Sequence, residues 1–74
     1  MKSTNTVESI LNRVAAGFTV YSVAVYMHDG NVAPHGWGFD VEEIIAEYGS
    51  EEVYAWELKS FSPEEVGVVL RLVY

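Results

Sequence analysis

Cysteine is absent from this chain of 74 residues, and basic residues are scarce, with four lysines and arginines in all. Without cysteine the chain offers neither a disulfide framework nor a thiolate metal site. The apolar run over residues 18–27 is too short to cross a bilayer as a helix and is interrupted by Thr19 and Ser22. Residues 1–5 are polar and lack the apolar segment of a signal peptide. These absences favour a soluble, cytoplasmic protein with no membrane contact.

The scarcity of cations leaves a negative charge that is confined to the second half of the chain. Residues 1–39 carry two carboxylates and two basic residues, so that half is neutral. Residues 40–74 carry nine carboxylates against Lys59 and Arg71, and the whole net charge of −7 therefore lies there. A field of this sign attracts basic surfaces and repels nucleic acid and anionic membranes. Six of these carboxylates form an acidic segment with no lysine or arginine among them: Asp40, Glu42, Glu43, Glu47, Glu51 and Glu52.

The chain is also short for the apolar side chains it carries. We expect one domain over residues 1–74, and a domain of this size buries only about 60% of the surface that its unfolded chain exposes. Half of the residues are apolar and ten are aromatic. One small core cannot hold all of them, so some side chains must be exposed, covered by a partner or covered by a second copy in a homodimer.

The first half of the chain shows the signals of a helix followed by a hairpin. Apolar residues recur at helical spacing over residues 6–16, and Asn5 is a suitable N-cap. Residues 18–28 are rich in β-branched and aromatic side chains, which predicts a strand. Asp29-Gly30 predicts a two-residue type I′ turn. The return strand, residues 31–39, is expected at a sheet edge because Pro34 cannot donate a hydrogen bond.

The second half predicts another helix and one or two further strands. Asp40 is the expected N-cap of a helix that ends at Gly49, with Glu43 in a capping box and Phe39 packed on Ile44. A strand is expected over residues 51–60. Residues 62–65 resemble a helix start, so residues 66–74 fit either a C-terminal helix or a short helical turn leading to a strand, which we favour. The predicted fold class is α+β, with helices on one face of an antiparallel sheet.

A two-residue turn fixes which side chains of the hairpin share a face. Paired residue numbers then sum to 59, and a slip of one residue would exchange the two faces. The expected core face holds Tyr21, Val23, Val25, Met27 and Val32. The opposite face is expected to be open, with Trp37 partly exposed, and holds Val20, Ser22, Ala24, Tyr26, Ala33, His35 and Trp37.

Residues suited to catalysis or metal binding are few. His28 and His35 are the two histidines, whereas a metal site needs three or four ligands. Ser22 is predicted near His35, but no acid is placed to orient the histidine. The glycines at 36 and 38 match no phosphate-binding motif, and carboxylates follow them. We therefore expect no enzymatic activity, no catalytic residue, no metal and no cofactor.

Two functions of different classes fit these observations. The first is an acidic module that binds a basic protein surface, such as that of a nucleic-acid-binding protein, and competes with nucleic acid there. The second is a homo-oligomer that binds a small ligand on its aromatic sheet face. The acidic segment could equally serve only to keep the protein soluble. The candidate partner-binding residues are Glu42, Glu43, Glu47, Glu51, Glu52, Tyr26, His35 and Trp37.

In size, charge and lack of cysteine the chain resembles phage- and mobile-element-encoded inhibitors of host nucleic-acid enzymes. This resemblance rests on no sequence motif. It implies a small α+β protein that acts by binding, without direct contact to nucleic acid.

Overall fold

The structure is a computed structural model that describes residues 5–74. This part of the chain forms two helices and four strands, which confirms the α+β class. In chain order they are α1 (Val7–Gly17), β1 (Thr19–Tyr26), β2 (Val32–Gly38), α2 (Val41–Tyr48), β3 (Val53–Ser60) and β4 (Glu65–Leu72). No helix of the described residues is long and apolar enough to cross a membrane.

The strands form one sheet in the order β2-β1-β4-β3. The hairpins β1–β2 and β3–β4 are antiparallel, but the two central strands, β1 and β4, are parallel. The sheet is therefore mixed, and not purely antiparallel as predicted. The difference arises because β4 inserts next to β1 in the centre, so that β3, which precedes it in the chain, becomes an edge strand.

Both helices cover the same side of the sheet. Val23 pairs with Val68 and Val25 with Leu70, which places these four side chains on that side. They form the core together with the apolar stripes of the helices. The buried residues are Val7, Ile10, Leu11, Val14, Val23, Val25, Ala33, Ile44, Val53, Val66, Val68, Leu70 and Leu72. We call the opposite side of the sheet the open face.

Helix α1 begins one residue later than predicted. Its N-cap is Thr6, and not Asn5, and the capping box joins Thr6 to Ser9. The Thr6 hydroxyl accepts a hydrogen bond from the Ser9 backbone N–H, and the Ser9 hydroxyl accepts one from the Thr6 N–H, both at 3.2 Å. The carbonyl of Asn5 is instead bound by the N–H of Val53 at 2.8 Å, which ties the chain before α1 to the start of β3.

The predicted two-residue turn is wrong by one residue, and this overturns the predicted register. The N–H of Met27 donates to the carbonyl of Asn31 at 2.8 Å, and that of Gly30 donates to the carbonyl of Met27 at 3.0 Å. The loop therefore has three residues and closes with Gly30 at a φ of 92°. This is the pattern of a type I turn followed by a glycine bulge, in which only the glycine needs positive φ.

The strand β2 contains a second irregularity, near Pro34. Tyr26 pairs with Val32, whereas Ala24 pairs with Trp37, so several residues of β2 lie opposite Val25. His35 has a φ of 57°, and Pro34 lies beside it. The prediction that Pro34 marks an edge or a bulge is confirmed on both counts, since β2 is an edge strand.

These two irregularities, together with a register shift in β1 between Val20 and Ser22, change the face assignments of five hairpin residues. Tyr21, Met27 and Val32, expected in the core, are 48%, 38% and 48% exposed. Ala33, expected on the open face, is buried, and Val20 packs against the core. The assignments of Val23 and Val25 to the core are confirmed. The physical reason is that each bulge shifts the two-residue alternation of a strand by one position.

The remaining elements agree largely with the prediction. Asp40 caps α2 by accepting the N–H of Glu42 at 3.0 Å, and the helix ends at Gly49. The ring of Phe39, which was expected to pack on Ile44, contacts the rings of Tyr21 and Trp37. Residues 65–72 form a strand, as favoured, although residues 61–64 form bends and not a helical turn.

Candidate functional site

Four aromatic rings lie in a continuous row at one end of the sheet. The ring centroids of Trp37 and Phe39 are 4.9 Å apart, those of Phe39 and Tyr21 5.5 Å, and those of Tyr21 and Phe61 5.1 Å. Their exposed fractions range from 48% for Tyr21 to 59% for Phe61. We call these four residues the aromatic patch. Exposed aromatic side chains in contact with one another are typical of binding surfaces and not of scattered surface residues.

The irregular backbone of the sheet creates this patch. The register between β1 and β4 shifts between Val20 and Ser22, which leaves Tyr21 outside the regular alternation. Gly67 then provides space for the Phe61 ring, since a Cβ at Gly67 would lie 2.6 Å from a ring carbon. The sequence around these residues contains no signal for the β1 bulge.

A shallow depression of about 200 Å³ lies on the open face next to the patch. Its floor is formed by small residues, Ser22, Ala24 and Gly67. Tyr26, Trp37 and Phe61 line it together with Lys59. Arg71 lies with its guanidinium carbon 5.1 Å from the centroid of the Tyr26 ring, a cation–π arrangement. The open face thus combines aromatic rings with two of the four basic residues of the chain.

The acidic segment lies on the helix side of the molecule. Glu42, Glu43 and Glu47 occupy the exposed face of α2, while Glu51 and Glu52 follow in the exposed connection to β3. Helix α2 packs against β2, and the Tyr48 hydroxyl near its C-terminus donates a hydrogen bond to the Pro34 carbonyl. The eight residues of α2 span roughly 12 Å. The six carboxylates are therefore distributed along one flank and are not concentrated at a point.

The pKa of Tyr48 reports the negative field at the C-terminal end of α2. Burial of the phenol raises this pKa above its ordinary value of 10.0, and the carboxylates of Glu47 and Glu51 raise it further. Ionisation of the phenol would place a further negative charge near these two carboxylates, which is unfavourable.

The predicted site residues divide into two groups on opposite sides of the sheet. Tyr26 and Trp37 line the same depression, as predicted, and Trp37 is 58% exposed. His35 is exposed at the β2 irregularity and is not among the residues that line this depression. The five glutamates lie on the α2 flank.

We did not predict from the sequence that Tyr21, Phe39 and Phe61 are exposed. The excess of aromatic residues over the capacity of a small core was the one signal that could have found them. Pro34 indicates a bulge in β2 but not its extent, and no residue type indicates the bulge in β1. The sequence therefore did not show which of the aromatic residues are exposed.

None of the polar or charged side chains in the described part of the chain is buried. No group of three or more histidine, aspartate or glutamate side chains within residues 5–74 is arranged to hold a metal ion. No family model matches the chain, and no curated protein or solved structure was found to be similar to it.

Proposed function

We propose that the protein is a non-enzymatic binding module that docks on a basic surface of a partner protein. The observation that supports this function best is the aromatic patch, four contacting rings that are each about half exposed. Aromatic side chains are the residues on which binding energy concentrates in protein interfaces. An isolated small domain gains nothing from leaving them in water.

The aromatic patch and the acidic segment are joined in the chain where Phe39 is followed by Asp40. Trp37 and Phe39 lie at the end of the edge strand β2, and Asp40 follows directly as the N-cap of α2. A partner that covers Trp37 and Phe39 therefore also meets the first turn of α2. In this arrangement the rings supply the apolar anchor, and the carboxylates steer a basic surface into place and set the salt dependence of binding.

The charge of the acidic segment suggests how such docking would inhibit the partner. A basic protein surface is most often one that binds the phosphates of nucleic acid. Carboxylates spaced along α2 and its C-terminal connection would take the positions of phosphates, so the protein would act as a nucleic-acid mimic. It would then compete with nucleic acid for its partner in the cytoplasm, and it would not bind nucleic acid itself.

The size of the depression favours a protein partner over a small ligand. Its volume of about 200 Å³ is below the roughly 300–1,000 Å³ typical of pockets that enclose a small molecule. Lys59 and the aromatic side chains around the small-residue floor would suit a flat anionic group, but only if a second copy covered it. The ligand-binding alternative therefore requires an oligomer, which the protein-binding function does not.

The decisive experiment is an affinity capture followed by competition. The immobilised protein is incubated with a nuclease-treated host lysate, and the captured protein is purified and its affinity measured at several salt concentrations. We expect a basic, nucleic-acid-binding partner whose complex is weakened by salt and displaced by nucleic acid. Replacement of Glu47, Glu51 and Glu52 by glutamine should lower the affinity and flatten its salt dependence.

Two variants distinguish the contribution of the aromatic patch to binding from that of the negative charge of the protein as a whole. Trp37→Ala removes a ring of the patch and should weaken binding by about tenfold or more. Glu57→Gln removes an exposed charge on β3, at the opposite edge of the sheet from Trp37, and should leave binding unchanged. A captured partner whose affinity is independent of salt, or a ternary complex with nucleic acid, would contradict the proposal.

A further inference from the structure

The two edges of the sheet differ in their suitability for strand pairing. The edge strand β2 is interrupted by Pro34 and by the left-handed His35, features that block pairing with another strand. The edge strand β3 is regular from Ala55 to Ser60, where its pairing with β4 has no register shift. Within residues 5–74, Asn5 and Thr6 pair with β3 at its start, opposite Val53 and Glu52.

The backbone groups that face outward along β3 can be identified from its pairing with β4. The N–H of Phe61 donates to the carbonyl of Glu65 at 3.0 Å, in the same register as the pairs of the regular stretch. Because hydrogen-bonded and non-bonded pairs alternate in an antiparallel ladder, Ala55, Glu57 and Lys59 direct their backbone groups to β4. Those of the alternate residues, Trp56, Leu58 and Ser60, point toward the free edge.

Two apolar side chains, Trp56 and Leu58, lie along this edge of β3. Leu58 pairs with Val68, and Trp56 with Leu70, so both side chains lie on the side of the sheet that the helices cover. Even so, Trp56 is 48% exposed and Leu58 38% exposed, because the helices do not extend over β3. A strand added at this edge would bury both.

We infer that the occupant of this edge is β3 of a second copy, paired antiparallel about a two-fold axis at Leu58. In this register Leu58 meets its counterpart, and each Glu57 lies directly opposite Lys59 of the other copy. The two symmetry-related Glu57–Lys59 pairs are non-hydrogen-bonded pairs, in which opposed side chains come closest. The result is a continuous sheet of eight strands, with the Trp56 and Leu58 side chains of both copies forming one apolar strip.

Charge selects this register over the neighbouring symmetric ones. A two-fold axis at Glu57 would oppose the two Glu57 carboxylates, and one at Lys59 would oppose the two ammonium groups; both arrangements are unfavourable. An axis at Trp56 would leave both charges opposite apolar residues, Ala55 and Val53. The edge is thus self-complementary in one register only. This inference does not rest on the proposed function, because the register is set by Glu57, Leu58 and Lys59, none of which belongs to the aromatic patch or the acidic segment.

Sedimentation equilibrium with charge-reversal variants tests the inference. The unmodified protein should form a dimer with a dissociation constant of roughly 1–100 µM, as expected for a small interface. Glu57→Lys and Lys59→Glu should each raise this constant by about tenfold or more, because each places two like-charge pairs in the dimer. The double variant should dimerise like the unmodified protein. A mixture of the two single variants should form the heterodimer in preference to either homodimer.

Two controls make the outcome specific to this edge. Glu64→Lys makes the same charge change outside β3, and Trp37→Ala alters the patch; both should leave the dimer intact. Thermal melts check that the variants are folded. A protein that stays monomeric at about 1 mM, far above the expected dissociation constant, would overturn the inference. So would a dimer that is indifferent to both charge reversals or is lost in Trp37→Ala.

Discussion

Gly36 offers the sharpest test of the irregular β2 strand. A Cβ added there would lie 2.8 Å from the Ala33 carbonyl oxygen and 2.9 Å from the Val25 carbonyl oxygen. Both are backbone atoms, so the clash cannot be relieved by rotation of a side chain. Overpacking of this kind costs about 1–3 kcal/mol. Alanine also lowers the conformational entropy of the unfolded chain, which stabilises the folded protein by only about 0.4–1 kcal/mol. Gly36→Ala should therefore destabilise the protein.

Gly38→Ala is the matched control in the same strand. No atom lies within 4 Å of a Cβ built at Gly38, so this variant should be neutral or slightly stabilised. The assay is a urea melt of both variants beside the unmodified protein. We expect the midpoint to fall for Gly36→Ala by about 1 M, because a net loss of about 1–2 kcal/mol is divided by a slope of about 1–2 kcal/mol per M for so small a domain. Equal stability of the two variants would refute the close approach of β2 to β1 at this point.

Three further predictions follow from single positions. Gly30→Val should cost about 1 kcal/mol or more, because a β-branched residue is strained at a φ of 92°; an unchanged thermal melt would contradict the three-residue turn. Leu11→Ala removes a fully buried side chain of α1 and should cost about 2–5 kcal/mol in a denaturant melt. The pKa of Tyr48 is raised in the folded state by burial and by Glu47 and Glu51, so the stability linked to the neutral phenol is complete below the unfolded pKa and declines as the pH rises through the folded one. Alkaline melts of Tyr48→Phe should therefore lack this decline, and a decline equal to that of the unmodified protein would exclude Tyr48 as its source.

Local signals predicted the elements of this fold better than their arrangement. The helical spacing of Val7, Ile10, Leu11 and Val14 and the capping of α2 by Asp40 act within a few residues, and both are present in the structure. The position of β4 at the centre of the sheet depends on contacts between distant parts of the chain. No local signal predicts it.

The candidate site was predictable in composition but not in geometry. The acidic segment is exposed because charged side chains seldom leave water, so its position on the surface follows from residue type alone. The faces of the hairpin depend on register, and an error of one residue in the turn moved Ala33 to the core and Val32 to the surface. The aromatic patch was not predicted for a similar reason. The orientation of Tyr21 depends on a bulge in β1 that no residue type indicates.

The measurement that tests the proposed function most directly is a map of the surface that the captured partner covers. The isotope-labelled protein is titrated with that partner, and the shifts of its backbone amide and tryptophan side-chain signals are followed by NMR. We predict that the largest shifts fall on the Trp37 side chain, on Phe39 and along α2, and that Trp56–Ser60 of β3 changes little. Shifts confined to β3, with the signals of Trp37 and α2 unchanged, would contradict docking through the aromatic patch and the acidic segment.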